Sequence, residues 1–419
     1  MRKTITIMLM AFLLFCLSSA AGAEKVVRFT MTGDCTIGST ELTKGLDNSF
    51  VSVAAAEGYD YFFKYFKELF ASDDATVINF EGVLQDTNAY ENKSKVYRFR
   101  GPTDFTNILT SVSIEAACLA NNHVGDYGPR GLERTMDAIA NAGIFPFRLD
   151  TYYMLQKDGI RIAFFAIDMS SLQSSSTALR STMSYLKRNG QANACVVFLH
   201  LGNEYDPKHN AAQSRVARIM VNSGADLVVM HHPHVVQGIT VYENRYICYS
   251  LGNFVFGGNS EIRTEMWRKT RPVTSLYALV VQAEFTFSDN GEFLGQRLLL
   301  IPAFTSGSAP HNDYQPRPVR GEDAAKVLTD VQFDSTIQIP DFDEDAGYAA
   351  LPYLPAGEPI ALPDLATPKP PAGAVSTPVV LPTREPVSTP PPTSGPGTLQ
   401  MEEMPLQTRE PAPESQQTN

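Results

Sequence analysis

Five apolar runs in this 419-residue chain stop at residues able to hold a metal ion. VVRFTMTG is followed by Asp34, TVINF by Glu81, and EAACLAN by Asn122 and His123. ACVVFL is followed by His200 with Glu204 close behind, and DLVVMH by His232-Pro233-His234. Of the seven histidines, six lie between positions 123 and 234. Singly, each residue has a plainer role: His200 as a core histidine, His209 in a solvated loop, His231 as a strand cap. Asp34 beside Gly33 and Glu81 beside Gly82 would serve equally as turn residues. Jointly, two carboxylates, an Asn-His pair, a histidine and a His-x-His at successive strand ends point to one or two divalent ions. Mixed oxygen and nitrogen donors suit Mn, Fe or Zn.

Other residues stand close to this set. Asp126 and Tyr127 follow His123 closely enough to orient it. With His123 and Glu204, Asp126 is expected to take part in the chemistry. Asn253, in the turn Ser250-Leu251-Gly252-Asn253-Phe254, is expected to reach inward toward the substrate. Lys95, Arg98 and Arg100 alternate along KVYRFRGP, so their basic side chains share one face of an extended segment. A solvated, charged edge is the plainer account, but an anionic polymer would find Arg98 and Arg100 attractive.

Short runs rich in β-branched and aromatic residues must carry these groups. Val26–Thr32, Ala75–Phe80, Ile114–Ala120, Ile160–Ile167, Ala194–Leu199, Leu227–Met230 and Tyr246–Tyr249 read as buried strands. Helical periodicity falls between them over Asp60–Phe70, Gly131–Ala142 and Ala211–Asn222, with Gly143 and Gly224 as stops. That alternation predicts an α/β domain, to which Leu276 onward adds antiparallel strands. Ligands of such sheets gather beyond the carboxyl ends of the strands, where five distant segments converge.

The two ends differ from this body. Met1-Arg2-Lys3, the apolar Ile5–Leu17 and the exit Ala21-Gly22-Ala23 match a secretory signal peptide over residues 1–23. The apolar run, about 13 residues, is short of the roughly 18–20 that span a bilayer. An exported protein is therefore expected, working outside the cytoplasmic membrane. From Leu351 to the end there are 17 of the 28 prolines, material too poor in apolar groups to order itself. Residues 338–419 are accordingly expected to form a disordered Pro-rich tail after a domain at 24–337. Cys35, Cys118, Cys195 and Cys248 remain after the leader; three lie in apolar runs as buried thiols, and no obligatory disulfide framework is expected. The net charge of −11 argues against a nucleic-acid partner.

The motifs Gly33-Asp34, Asn79-Phe80-Glu81, Asn121-Asn122-His123, His200-Leu201-Gly202-Asn203-Glu204, His231-His232-Pro233-His234 and Ser250-Leu251-Gly252-Asn253-Phe254 have a shared precedent. In order and spacing, residues 26 to 337 resemble the CapA or PgsA-type poly-γ-glutamate capsule synthesis family, within the calcineurin-like metallophosphoesterases. The resemblance implies a four-layer α-β-β-α sandwich. It implies Asp34 on a first metal, Glu81 bridging, Asn122 and His200 on a second, and His232 and His234 completing the pair. His123 would then protonate a leaving oxygen or steady the transition state, with water activated by the ions as nucleophile. The first motif departs from the usual Asp-x-His: this chain has Asp34-Cys35-Thr36, which bears on the first ion and argues against ordinary phosphatase activity.

Three functions are consistent with these residues. The first is a metal-dependent hydrolase or transferase acting on an anionic surface polymer such as poly-γ-glutamate. The second is a non-catalytic accessory or export component that works with membrane synthase subunits. The third is an exported phosphodiesterase or nucleotidase. Fold analogy alone does not choose among them.

Overall fold

The strand Lys25–Thr36 (β1) is buried on both faces beyond Arg28, and it organises the first of two sheets. The computed structural model describes residues 24–267, 272–358 and 362. β1 pairs in parallel with Ala75–Phe80 (β2), which is followed in parallel by Ala116–Cys118 (β3) and Phe145–Phe147 (β4). Strands buried on both faces need no polar alternation, and all six residues of β2 are buried.

The second sheet is built from Tyr153–Lys157 (β5), Ile160–Asp168 (β6), Ala194–His200 (β7), Leu227–His231 (β8), Ile239–Tyr242 (β9) and Arg245–Cys248 (β10). Its order is β9-β10-β8-β7-β6-β5. β6, β7, β8 and β10 run parallel, with antiparallel strands at both edges. Asn253–Phe256 (β11) then returns to the first sheet beside β1. The long hairpin Tyr277–Phe287 (β12) and Phe293–Phe304 (β13) extends that sheet antiparallel on the far side of β1.

One apolar cluster fills the space between the sheets. Phe29, Met31 and Val77 of the first sheet meet Phe164, Val196, Phe198 and Val229 of the second, and Phe29 contacts Phe164 edge to face at 5.1 Å. A second cluster covers the outer face of the first sheet, with Ile78 and Phe80 against Phe62, Phe66, Phe70 and Ile139. Ile139 belongs to the helix Gly128–Asn141 (α1). The third joins Phe165, Val197 and Val228 to Leu172–Arg188 (α2) and Ala211–Val221 (α3). The result is a mixed α/β architecture around central mixed sheets. No helix among the described residues is long and apolar enough to cross a membrane.

Local differences from the expected elements have local causes. Asp60–Phe70 is not one helix but two 3₁₀ turns, Tyr59–Tyr61 and Lys64–Phe66, leading into Lys67–Ala71. The adjacent Phe62 and Phe63 are both fully buried, which a straight helix with one buried stripe does not provide. α2 is a further helix that the serine-rich sequence barely signals, since serine favours caps over helix interiors. α3 starts at a capping box, Asn210 accepting from the Gln213 amide while the Gln213 side chain accepts from the Asn210 amide.

The expected tail boundary at 337 moves. Residues 338–358 lie on the first sheet: Ala349–Ala350 (β14) and Leu354–Pro355 (β15) both pair with β13. Ile339, Ala349 and Leu351 are buried there, so this stretch has the apolar groups that ordering requires. Apart from Leu362, the rest of the expected tail lies outside the described residues, as does the expected leader. Cys35, Cys118, Cys195 and Cys248 are buried free thiols.

Candidate metal centre

The carboxyl ends of β1, β2, β3, β7 and β8 meet across the two sheets. β1 and the turn before β11 approach so closely that a Cβ at Gly33 would meet the Gly252 carbonyl oxygen at 2.2 Å. Only glycine fits there, and the Asp34 amide then donates to that same oxygen at 2.9 Å. Asp34 is fully buried. Its Oδ1 accepts from Asn79 Nδ2 at 2.8 Å, and its Oδ2 accepts from the His232 amide at 3.3 Å.

His232 and His234 follow β8 in the left-handed region, at φ 100° and 57°. Such backbone costs about 1–3 kcal/mol per residue and concentrates at functional sites. The turn sets His234 Nδ1 3.4 Å from Asp34 Oδ2 and 2.8 Å from Asn253 Oδ1. His231 Nδ1 stands 3.1 Å from Asp34 Oδ1, an ion-pair distance without hydrogen-bond alignment. Its ring stacks on Phe198.

Glu81 is fully buried, yet neither carboxylate oxygen has a hydrogen-bond partner among the described residues. A buried carboxylate left in this way costs several kcal/mol unless positive charge accompanies it. Its neighbours are metal-competent: His200 Nε2 lies 3.7 Å and His123 Nε2 3.8 Å from Glu81 Oε1. His200 Nε2 is also 2.8 Å from Asn122 Oδ1. Asp34, Glu81 and His234 offer ligand atoms within 4.8 Å of one another, and so do Glu204, His232 and His234. These donors fit a divalent metal, and the unsatisfied oxygens of Glu81 are the observation that carries the fit.

The electrostatics divide the two central carboxylates. Burial pushes Glu81 well above the usual range, and the charge of Asp34 adds to it. Burial would raise Asp34 too, but His231 and His234 beside it outweigh that and hold it well below the usual range. Burial also opposes protonation of His234, yet the charges of Glu81 and Asp34 prevail and raise it to about 10. His200 is pushed well below its ordinary value by burial, and His232 is lowered for the same reason.

His123 stands at the side of the centre. Asp126 Oδ2 accepts from its Nδ1 at 2.8 Å, which leaves Nε2 turned toward Glu81. Burial lowers the His123 pKa while Asp126 opposes the shift. Asp126 is itself fully buried, accepts from the Phe99 amide at 2.8 Å and pairs with Lys95. Lys95 Nζ donates as well to the Asn122 carbonyl at 2.7 Å. One lysine thus ties the loop bearing Asn122 to the carboxylate that orients His123.

The centre opens into a cleft of about 510 Å³. His123, Glu204 and His234 form its inner end, and Tyr97, Tyr205 and Arg263 are among its walls. The family described as bacterial capsule synthesis protein PGA_cap matches residues 28–258, more than half of the chain and the whole of this centre. The chain belongs to that family.

Relatives of this PGA_cap chain carry similar names. The capsule biosynthesis protein CapA of Bacillus anthracis is 31% identical over 224 residues, 48% of this chain and 54% of the relative. The PGA biosynthesis protein CapA of Bacillus subtilis (strain 168) is 30% identical over 240 residues, 52% of this chain and 61% of the relative. The chain thus spans between about half and three fifths of the length of these two relatives. Among solved structures, a hypothetical protein from Thermus thermophilus aligns at a TM-score of 0.38 and 11% identity, covering 66% of this chain and 99% of that one. A likeness at that level carries no weight for fold or function.

Several expected residues of this PGA_cap domain sit elsewhere or do other work. Arg98 is turned to Glu91 (Nε to Oε1, 2.8 Å), and Arg100 donates to the Gln85 carbonyl at 2.9 Å. Neither lines the cleft; the acceptors that hold them lie elsewhere, and Arg100 Nε is buried without a partner among the described residues. Asn253 holds His234 and is buried, so it positions a ligand-competent ring. Tyr127 donates to Glu41 at 3.4 Å, and among the described residues no hydrogen bond or ring contact joins it to His123. His209 is not in a solvated loop: its ring stacks on Tyr249 and its Nδ1 lies 2.8 Å from Asp334. Asn79, His231, Lys95 and Arg263 are contributors that sequence patterning misses. Asn79 within Asn79-Phe80-Glu81 carries the one usable signal, a polar residue inside an apolar run. Thr36 is buried with its hydroxyl unpartnered among the described residues.

Proposed function

We propose that this protein is a metal-dependent hydrolase or transferase that works outside the cytoplasmic membrane on an anionic capsule polymer of the poly-γ-glutamate kind. The fold reading that goes with it is the α-β-β-α sandwich of metallo-dependent phosphatases, supported by two sheets with a shared core and helices packed on their outer faces. The polymer is supported by the family and by the relatives named for capsule and PGA biosynthesis. The chemistry rests on Glu81, a buried carboxylate without hydrogen-bond partners among the described residues, set beside imidazoles and a second carboxylate.

Asp34, Glu81 and His234 would hold one ion, with Glu204, His232, Asn122 and His200 as donors for a second. A bound divalent ion supplies the positive charge that polarises the scissile group and acidifies water. The chain's own residues do the rest. Asp126 fixes the tautomer and direction of His123, whose Nε2 moves a proton to or from the atom that leaves. Lys95 and the Phe99 amide hold Asp126 in place. Tyr97 and Tyr205 give the polymer apolar walls beside the centre.

A second reading has one observation in its favour. Thr36 stands where phosphatases of this fold carry a histidine, and a Mycobacterium tuberculosis relative, 22% identical over 227 residues (46% of this chain and 60% of the relative), is named a probable polyglutamine synthesis accessory protein. On that reading the domain binds polymer beside a membrane synthase without turnover. Plasma mass spectrometry of the full chain and of Glu81→Gln, with chain-length analysis of poly-γ-glutamate after incubation, separates the two. Bound metal lost in Glu81→Gln together with polymer shortening supports the enzyme. Polymer binding with no metal after manganese, iron or zinc loading would sink it.

A further inference from the structure

Arg263 is an exposed guanidinium on the cleft wall, and it has no carboxylate partner among the described residues. Arg98 and Arg100, by contrast, are turned to local acceptors, Arg98 to Glu91 and Arg100 to the Gln85 carbonyl. Glu261 lines the same wall, but no ion pair among the described residues joins it to Arg263. The guanidinium lies over the ring of Tyr205, 5.8 Å from its centroid. The Tyr205 ring is in turn 6.0 Å from the ring of His234 in the centre. Arg263 therefore stands one aromatic ring away from the reacting end of the cleft.

The backbone that presents Arg263 is fastened from behind. Its carbonyl accepts from Thr274 Oγ1 at 3.0 Å, Ser275 Oγ at 3.2 Å and the Ser275 amide at 3.1 Å. The neighbouring Ile262 is buried, and its amide donates to the Pro310 carbonyl at 2.6 Å. Asn312 Nδ2 donates to the carbonyls of Phe256 and Asn259, both at 2.8 Å. A side chain on such a fixed support loses less freedom when it binds. A planar guanidinium with one face on an aromatic ring is suited to two-point recognition of an oxyanion.

We infer that Arg263, backed by Tyr205, is the specificity residue of the cleft. It would bind an oxyanion of the substrate, a carboxylate or a phosphate, next to the unit held at the metal centre. This builds on the reading of the centre as a site for an anionic polymer, and the test separates the two. The full chain, loaded with manganese, is titrated by calorimetry with a γ-linked glutamate pentamer and with bis-p-nitrophenyl phosphate. Arg263→Ala, Arg263→Lys and the surface control Arg130→Ala are compared with the wild type, with metal content measured for each.

Metal content is expected to be the same in all four proteins. Arg263→Ala should weaken pentamer binding by at least about tenfold, the loss of a charge-assisted two-point contact. Arg263→Lys should recover only part of that loss, and Arg130→Ala should bind like the wild type. If the wild type holds the phosphate diester alone and Arg263→Ala loses it, the oxyanion is a phosphate: Arg263 keeps its role while the polymer reading fails. Equal binding by Arg263→Ala and wild type would overturn the inference with the polymer reading intact. Binding of neither probe by the wild type would overturn it as well.

Discussion

Asn122 and His200, which follow strands of different sheets, meet at 2.8 Å between the amide oxygen and Nε2. The same Nε2 is 3.7 Å from Glu81, so the buried His200 joins the two sheets inside the centre. If this pair serves one ion while Asp34, Glu81 and His234 serve another, His200→Ala should lower the metal content by about one ion per chain. Glu81→Gln, which touches both groups, should lower it further. Plasma mass spectrometry of the variants reads the difference. Equal content in His200→Ala and wild type would remove His200 from the ligand set.

Loading the centre should release protons. Burial first, and then the charge of Asp34, raises Glu81 well above the carboxylate range. The charges of Glu81 and Asp34 raise His234 to about 10 against the effect of burial. His234 therefore holds a proton near neutral pH in the metal-free protein, Glu81 is shifted toward holding one, and a metal must displace what these groups hold. Affinity should rise with pH up to the folded pKa of each group and fall below it, by about one log unit per pH unit for each proton displaced. Calorimetric titration with manganese in buffers of different ionisation enthalpy counts those protons. A heat of binding independent of the buffer would contradict this assignment.

Lys95 is expected to matter for stability through a charge that it neutralises. Its ammonium pairs with Asp126, which is fully buried, and donates to the Asn122 carbonyl. Lys95→Met leaves that carboxylate with only the Phe99 amide and His123 as partners. The cost should be about 1–3 kcal/mol, less than the roughly 3–5 of a fully buried pair because the Lys95 side chain is partly exposed. In the double variant Lys95→Met/Asp126→Asn the charge is gone, and much of the loss should return. Denaturant unfolding of wild type, Lys95→Met, Asp126→Asn and the double variant gives the coupling energy directly; strict additivity would mean that the pair is decorative.

The centre is legible in the sequence because its signal is local: an apolar run that ends in a ligand-competent residue. Asp34, Glu81, Asn122, His123, His200, His232 and His234 all follow that rule, and all come together in space. The residues that support them are not legible, since their roles depend on long-range contacts. Arg263 reaches the cleft only because Thr274, Ser275, Pro310 and Asn312 fix its segment. Arg98 leaves the expected basic face only because Glu91 lies within reach. His231 reads as a strand cap because nothing in its neighbourhood in sequence reveals Asp34, to which it is drawn. The parallel strands are readable as buried apolar runs, whereas α2 hides behind serines whose weak preference is overridden by burial of Leu179, Met183 and Leu186 against the second sheet.

The segment 338–358 should be required for the stability of the domain. Proline-rich composition masks a few apolar residues there, of which Ala349 and Leu351 are almost fully buried and Ile339 nearly so. Tyr246 donates to the Pro352 carbonyl at 2.7 Å, and Arg245 to that of Ala356. Cutting the chain after residue 337 removes both short strands from β13 and exposes its core face. Burial of Ile339 and Leu351 alone is worth about 1.5–3 kcal/mol each, a large part of ordinary domain stability. A chain ending at 358 should melt within a few degrees of the full chain, and one ending at 337 should melt lower by about 5 °C or more. Differential scanning calorimetry decides it; equal melting of the two truncations would mean that 338–358 lies on the sheet without holding it together.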